Sequence, residues 1–216
     1  MFYGTASSYI EFQNNGGLDT RFSITLMCWV QPGGQDGPLF SYGFNSYAPL
    51  SIKIYRGKLF NRMLIQSSPN SWYIRTITTT EVLPAGKWVH VAASYDYNSG
   101  DHSLYINGHL RASKNIVTGY SIDTASQRVQ MGVDNFRNEH FKGKIAEMKV
   151  YDVALNEVQI QTSIRQGNCT FFSQIVFSLP SLMFPFINNT PVNGQLRKRT
   201  VTDTCFTISL RKTMSR

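Results

Sequence analysis

The chain has 216 residues, 42% of them hydrophobic and 16% charged, which is enough apolar material for a buried core and excludes a disordered or low-complexity protein. Its formal charge of +8 is unevenly placed: residues 1–166 hold 15 Lys/Arg and 12 Asp/Glu (+3), residues 167–216 hold 6 and 1 (+5). The body is therefore nearly balanced, and charge alone does not point to nucleic acid.

Short alternating runs separated by turn residues follow one another from the N-terminus. Ser8–Phe12 alternates and stops at Asn14-Asn15-Gly16-Gly17. Ile24–Val30 is a continuous apolar run ending at Pro32-Gly33-Gly34, and reads as a central strand packed on both faces. Cys28 lies inside it as a small buried hydrophobe. Strands are expected at Pro38–Gly43, Leu50–Ile54, Leu59–Ile65 and Trp72–Thr79, with Arg56-Gly57-Lys58 turning the chain. Trp88–Tyr95, Ser103–Ile106 and His109–Ala112 form linked hairpins, the second closed by Asn107-Gly108, a dipeptide suited to a type I′ turn. Arg128–Val133 is a further strand. Phe141–Tyr151 alternates without keeping one parity, which predicts a bulge or a register change. Ala154–Ile160 is the one good helix candidate. Strands at this spacing predict an all-β sandwich of two antiparallel sheets over 1–166, with Trp29 and Trp88 in the core. Residues 167–216 lose the rhythm and read as an irregular tail.

Ordered pieces of residues 2–166 resemble the laminin-G-like, concanavalin A-like jelly rolls. They are Ser8–Phe12, Ile24–Pro32, Gly86-Lys87-Trp88-Val89-His90-Val91-Ala92, Ser103-Leu104-Tyr105-Ile106-Asn107-Gly108, Met131-Gly132 with Phe141–Ile145, and Val150–Leu155. The resemblance implies two curved antiparallel sheets and secreted or cell-surface recognition and adhesion, with a calcium site in some members. It places that ion between the loops holding Asn70 and Asp123; Asp134 and Asn135, or Asp96 and Asp101, are the alternatives among rim loops.

The same sandwich supports glucanases, whose retaining members need two carboxylates about 5 Å apart. No Glu-x-Asp-x-Glu run is present, and Glu147 and Asp152 differ in parity, so no hydrolase is expected. None of the four histidines has a Ser or Cys nucleophile at a recognisable elbow, and there is no CxxC or Cys/His zinc pattern. The ligand candidates are the aromatic pair Trp72 and Tyr73, with Phe44 and Tyr47 as lesser ones, and two basic groups. One is Arg56, Lys58 and Arg62 around a hairpin; the other is Lys142 and Lys144 on one strand. The expected role is a non-catalytic extracellular module that binds a glycan or an extracellular protein, with a structural spacer as the alternative. No nucleic-acid module motif and no membrane-spanning run occurs. No leader is visible at Met1, so a secreted parent makes this chain a fragment. Cys169 and Cys205 would close a loop across the tail in an oxidising compartment, and Asn168 and Asn188 head glycosylation sequons.

Overall fold

A computed structural model describes residues 1–12, 14, 16–43, 49–68, 71–122, 124, 128–134 and 138–166, together with the backbone of 205–208. Two seven-stranded antiparallel sheets form the protein. Sheet A runs β1 (Phe2–Tyr3), β13 (Lys142–Tyr151), β3 (Ile24–Gln35), β8 (Val89–Tyr95), β9 (Asp101–Ile106) and β10 (His109–Asn115), and β14 (Cys205–Ile208) also pairs with β13. Sheet B runs β11 (Ser121–Ile122), β6 (Lys58–Ser68), β5 (Leu50–Tyr55), β4 (Gly37–Tyr42), β12 (Val129–Met131) and β2 (Ile10–Phe12), and β7 (Ser71–Val82) pairs with β6.

The core follows from period-two alternation. Leu26, Cys28 and Val30 of β3 and Val89, Val91 and Ala93 of β8 point from sheet A toward sheet B. Leu50, Ile52 and Ile54 of β5 and Leu59, Met63 and Ile65 of β6 return the contact. Each such buried side chain contributes roughly 1.5–3 kcal/mol relative to exposure. Burial also pushes the Cys28 thiol up to about 12, so it is an apolar packing group and no nucleophile.

Turn chemistry sets the register. Asn107 and Gly108 both take positive φ (52° and 79°), as a type I′ hairpin requires, and Arg56 and Gly57 (53° and 71°) repeat the geometry between β5 and β6. Asp36 fixes the latter turn by accepting the backbone N–H groups of Arg56 and Gly57. The bulge expected in 141–151 is present: register with β3 shifts between Ala146 and Lys149, where Glu147 has φ 50°.

The helix, α1 (Glu157–Gln166), begins later than the apolar pattern suggests. Asn156 and Gln159 form a reciprocal capping box, each side chain accepting the other's backbone N–H at 3.0 and 2.9 Å. This cap, rather than Ala154-Leu155, sets the start. The helix lies on the outer face of sheet A, where Ile160 and Leu155 pack with Met27, Ala92, Tyr105 and Tyr151. Under it, the Lys149 ammonium donates to the Ser163 carbonyl and hydroxyl, both at 3.3 Å, and Tyr151 and Ser163 share a 2.7 Å hydroxyl contact. Burial holds Lys149 below the ordinary lysine range.

The expectation of tryptophans in the core is corrected. Trp29 alternates outward from β3, half-buried, with its ring edge-on to His90 at 5.4 Å, and Trp88 is 45% exposed. Parity decides this: Cys28 and Val30 occupy the inward positions on either side of Trp29. Phe40, Tyr42, Tyr95 and Phe141 supply the large buried rings instead.

Candidate functional site

The two outer faces differ. Helix α1 covers part of the outer face of sheet A. On sheet B the outward positions of six neighbouring strands line up as one polar row. Glu11 of β2 pairs with Gln130 of β12, Gln130 with Ser41 of β4, Ser41 with Ser51 of β5, Ser51 with Arg62 of β6, and Arg62 with Thr76 of β7. Their flanking residues Val129, Met131, Tyr42, Ile52 and Met63 all point into the core, so this row faces away from it.

The row carries opposite charge at its two ends. Glu11 accepts from Arg128 Nη1 at 3.0 Å and from Gln130 Nε2 at 2.8 Å. Gln130 is 1% exposed, and its Oε1 has no hydrogen-bond partner among the described residues. Ser41 donates to the Val133 carbonyl at 3.2 Å. Toward the other end stands Arg62, half-buried, between Ser51 and Thr76.

Apolar and aromatic groups flank the row along the strand direction. On one side lie Leu64 and Ile74, then Gln66 and Trp72. On the other lie Lys53, Phe60 and Thr78, then Tyr55 and Lys58. Lys53 is held by both carboxylate oxygens of Glu139 at 3.0 and 2.8 Å and sits 5.2 and 5.3 Å from the rings of Tyr55 and Phe60. An amphipathic surface of this kind offers hydrogen bonds beside apolar area that costs little side-chain entropy.

The structure splits the ligand candidates drawn from the sequence. Trp72 of β7 and Lys58 of β6 lie on the outer face of sheet B, at opposite ends of the β6–β7 pair. Tyr73 points the other way at the rim, stacked on Tyr120 with centroids 6.1 Å apart and with the Arg75 guanidinium 5.1 Å from its ring. Arg56 is in the β5–β6 turn, its guanidinium 5.3 Å from the Tyr55 ring. Lys142 and Lys144 are exposed on β13 of sheet A, far in the fold from the others. Of the ion candidates, Asp134 Oδ1 accepts the backbone N–H groups of Asn138 and Glu139 at 2.7 and 3.0 Å, so that oxygen holds a turn. Asn70, Asp123 and Asn135 lie outside the described residues, as do Phe44, Tyr47, Asn168, Cys169 and Asn188. Among the described residues no three His, Cys, Asp or Glu side chains converge on a point where a metal could sit. Sequence reasoning did not find Gln130, Ser41, Ser51 and Thr76. They are single polar residues in unrelated stretches, and only the strand order joins them.

Residues 4–161 match the Laminin_G_3 family, the concanavalin A-like lectin/glucanases superfamily. The chain belongs to that superfamily. Its sandwich is similar to a heptameric SAP-like pentraxin from Limulus polyphemus, with TM-score 0.57 and 20% identity over 79% of this chain and 82% of the other. It is also similar to the binding domain of botulinum neurotoxin serotype G, with TM-score 0.61 and 14% identity over 77% of this chain and 42% of the other. A third similar structure is domain 4 of a GH43 extracellular arabinanase from Geobacillus stearothermophilus, in complex with arabinotriose, with TM-score 0.52 and 25% identity over 73% of each chain. No curated protein matches the sequence. No helix among the described residues is long and apolar enough to cross a membrane.

Proposed function

We propose that this chain is an extracellular carbohydrate-recognition module that holds an oligosaccharide against the outer face of sheet B and catalyses no reaction. The observation that carries the reading is the cross-strand row from Glu11 to Thr76 with Trp72, Ile74 and Phe60 beside it. Sugars present hydroxyls at their edges and C–H groups on their faces, and the open end of the row, Arg62 and Thr76 with Ile74 and Trp72, offers both complements. Membership of a lectin/glucanase superfamily and the likeness to an arabinanase domain bound to arabinotriose support the same ligand class.

The absence of catalysis rests on the state of the carboxylates at this face. Glu11 is held by Arg128 and Gln130, and Glu139 by Lys53. Both are taken up in contacts within the face, and the sequence holds no Glu-x-Asp-x-Glu run to supply a catalytic pair.

Titration calorimetry with a panel of neutral and acidic oligosaccharides, with calcium and with EDTA, tests the reading. Binding is expected in both conditions, weakened about tenfold by Trp72→Ala and unchanged by Trp88→Ala on sheet A. Failure of every saccharide to bind, or binding indifferent to Trp72→Ala, would overturn it and favour a spacer domain.

A further inference from the structure

Arg62 is half-buried in a strand with neighbours on both sides, and among the described residues no carboxylate reaches it. Lys53 and Arg128 on the same face are each matched by a glutamate, while Lys58, further along β6, is a second cation with no carboxylate among the described residues. The neighbours of Arg62 in the row, Ser51 and Thr76, are neutral hydroxyls, and Leu64 and Phe60 flank it along its own strand. A guanidinium in such surroundings is poorly hydrated, and charges withdrawn from water are ordinarily paired.

Resting on the carbohydrate reading above, we infer that the saccharide is acidic and that Arg62 receives its anionic group, a carboxylate or a sulfate. The planar fork of the guanidinium suits two anionic oxygens at once. Thr76, exposed and paired with Arg62 across β7, adds a hydroxyl beside the same position. Apolar neighbours lower the local dielectric and strengthen the contact.

The other end of the row is closed to a ligand: Gln130 and Ser41 are buried there, and Glu11 is taken up by Arg128 and Gln130.

The test is a glycan array of matched pairs read with the intact chain. Each hexuronate-containing or sialylated glycan is printed beside its methyl ester, and each sulfated glycan beside its desulfated parent. The wild type is compared with Arg62→Gln, Arg62→Lys and Trp72→Ala, with far-ultraviolet circular dichroism confirming that each variant is folded. The wild type should prefer the acidic member of a pair by about tenfold, and the preference should shrink as salt rises. The ester or carboxylate arm and the sulfate arm tell the two anionic groups apart. Arg62→Gln should erase the preference by weakening the acidic member about tenfold more than the neutral one, and Arg62→Lys should restore only part of it. Equal binding of acidic and neutral members, or a preference that survives Arg62→Gln, would overturn the inference while leaving carbohydrate recognition intact. No binding to any glycan would instead remove the reading on which it stands.

Discussion

His102 of β9 and Asn61 of β6 join the two sheets through the middle of the protein, with His102 Nε2 donating to Asn61 Oδ1 at 2.6 Å. Asn61 passes the connection on by donating through Nδ2 to the Ser51 carbonyl at 2.8 Å. Both side chains are buried, and His102 Nδ1 has no partner among the described residues. Such a polar pair in an apolar layer favours one lateral position of sheet A over sheet B, because any slip leaves both groups unmatched.

Burial keeps this histidine neutral and lowers it from 6.5 to about 3; His90, buried beside Lys149, is lowered to the same value. The folded values lie below the unfolded ones, so the stabilisation is fully present above about pH 6.5 and is lost as pH falls toward 3. Each histidine should contribute a slope of about 1.4 kcal/mol per pH unit across that window. Urea unfolding at pH 7, 6, 5 and 4 checks this, and His102→Gln should reduce the slope by about one proton. An unchanged slope in that variant would show that His102 titrates normally.

Tyr151 and Lys149 meet Ser163 beneath the helix. Tyr151→Phe removes a 2.7 Å buried hydroxyl contact and should cost about 1–2 kcal/mol in denaturant unfolding. Asn156→Ala removes one half of the capping box and should cost about 1 kcal/mol by the same measurement.

Gly143 has φ 145° in β13, and a Cβ there would lie 2.3 Å from the Gln31 carbonyl oxygen and 2.7 Å from the Phe141 ring. Gly143→Ala therefore has to move backbone as well as side chain and should cost about 2 kcal/mol or more. Gly16→Ala, with nothing within 4 Å of the added carbon, meets only the strain of its own φ of 94° and should cost less. Thermal unfolding of the two variants side by side gives the comparison.

Trp88→Ala should change stability by less than about 1 kcal/mol, whereas Leu104→Ala, at a fully buried site, should cost about 2–5 kcal/mol. The contrast shows where sequence reading was strong and where it failed. Hairpins such as Asn107-Gly108 were legible because both central residues carry the needed conformation themselves. The bulge was legible because the parity of 141–151 breaks. Trp29 was misplaced because hydrophobic bulk does not reveal which parity faces inward when both neighbours are also apolar, and Trp88 because it stands just before β8 with the inward position taken by Val89. The row at the candidate site was less accessible still: positions 11, 130, 41, 51, 62 and 76 become neighbours only once the strand order of sheet B is known. Arg62 was visible as one basic residue among three, yet nothing in the sequence distinguished it from Arg56 or Lys58.

The last strand of sheet A comes from far along the chain. β14 meets β13 at Met148–Tyr151, while β1 occupies the same side at Lys142 and Gly143. Trimming the protein after the helix would leave that stretch of main-chain donors and acceptors without a neighbour, next to the buried amine and the phenol of Tyr151. A bare ladder of this sort recruits whatever extended peptide is at hand, including another molecule's. Shortened versions made for crystallisation should therefore self-associate in proportion to concentration, and a synthetic peptide spanning Cys205–Ile208 with its flanks should return them to monomers.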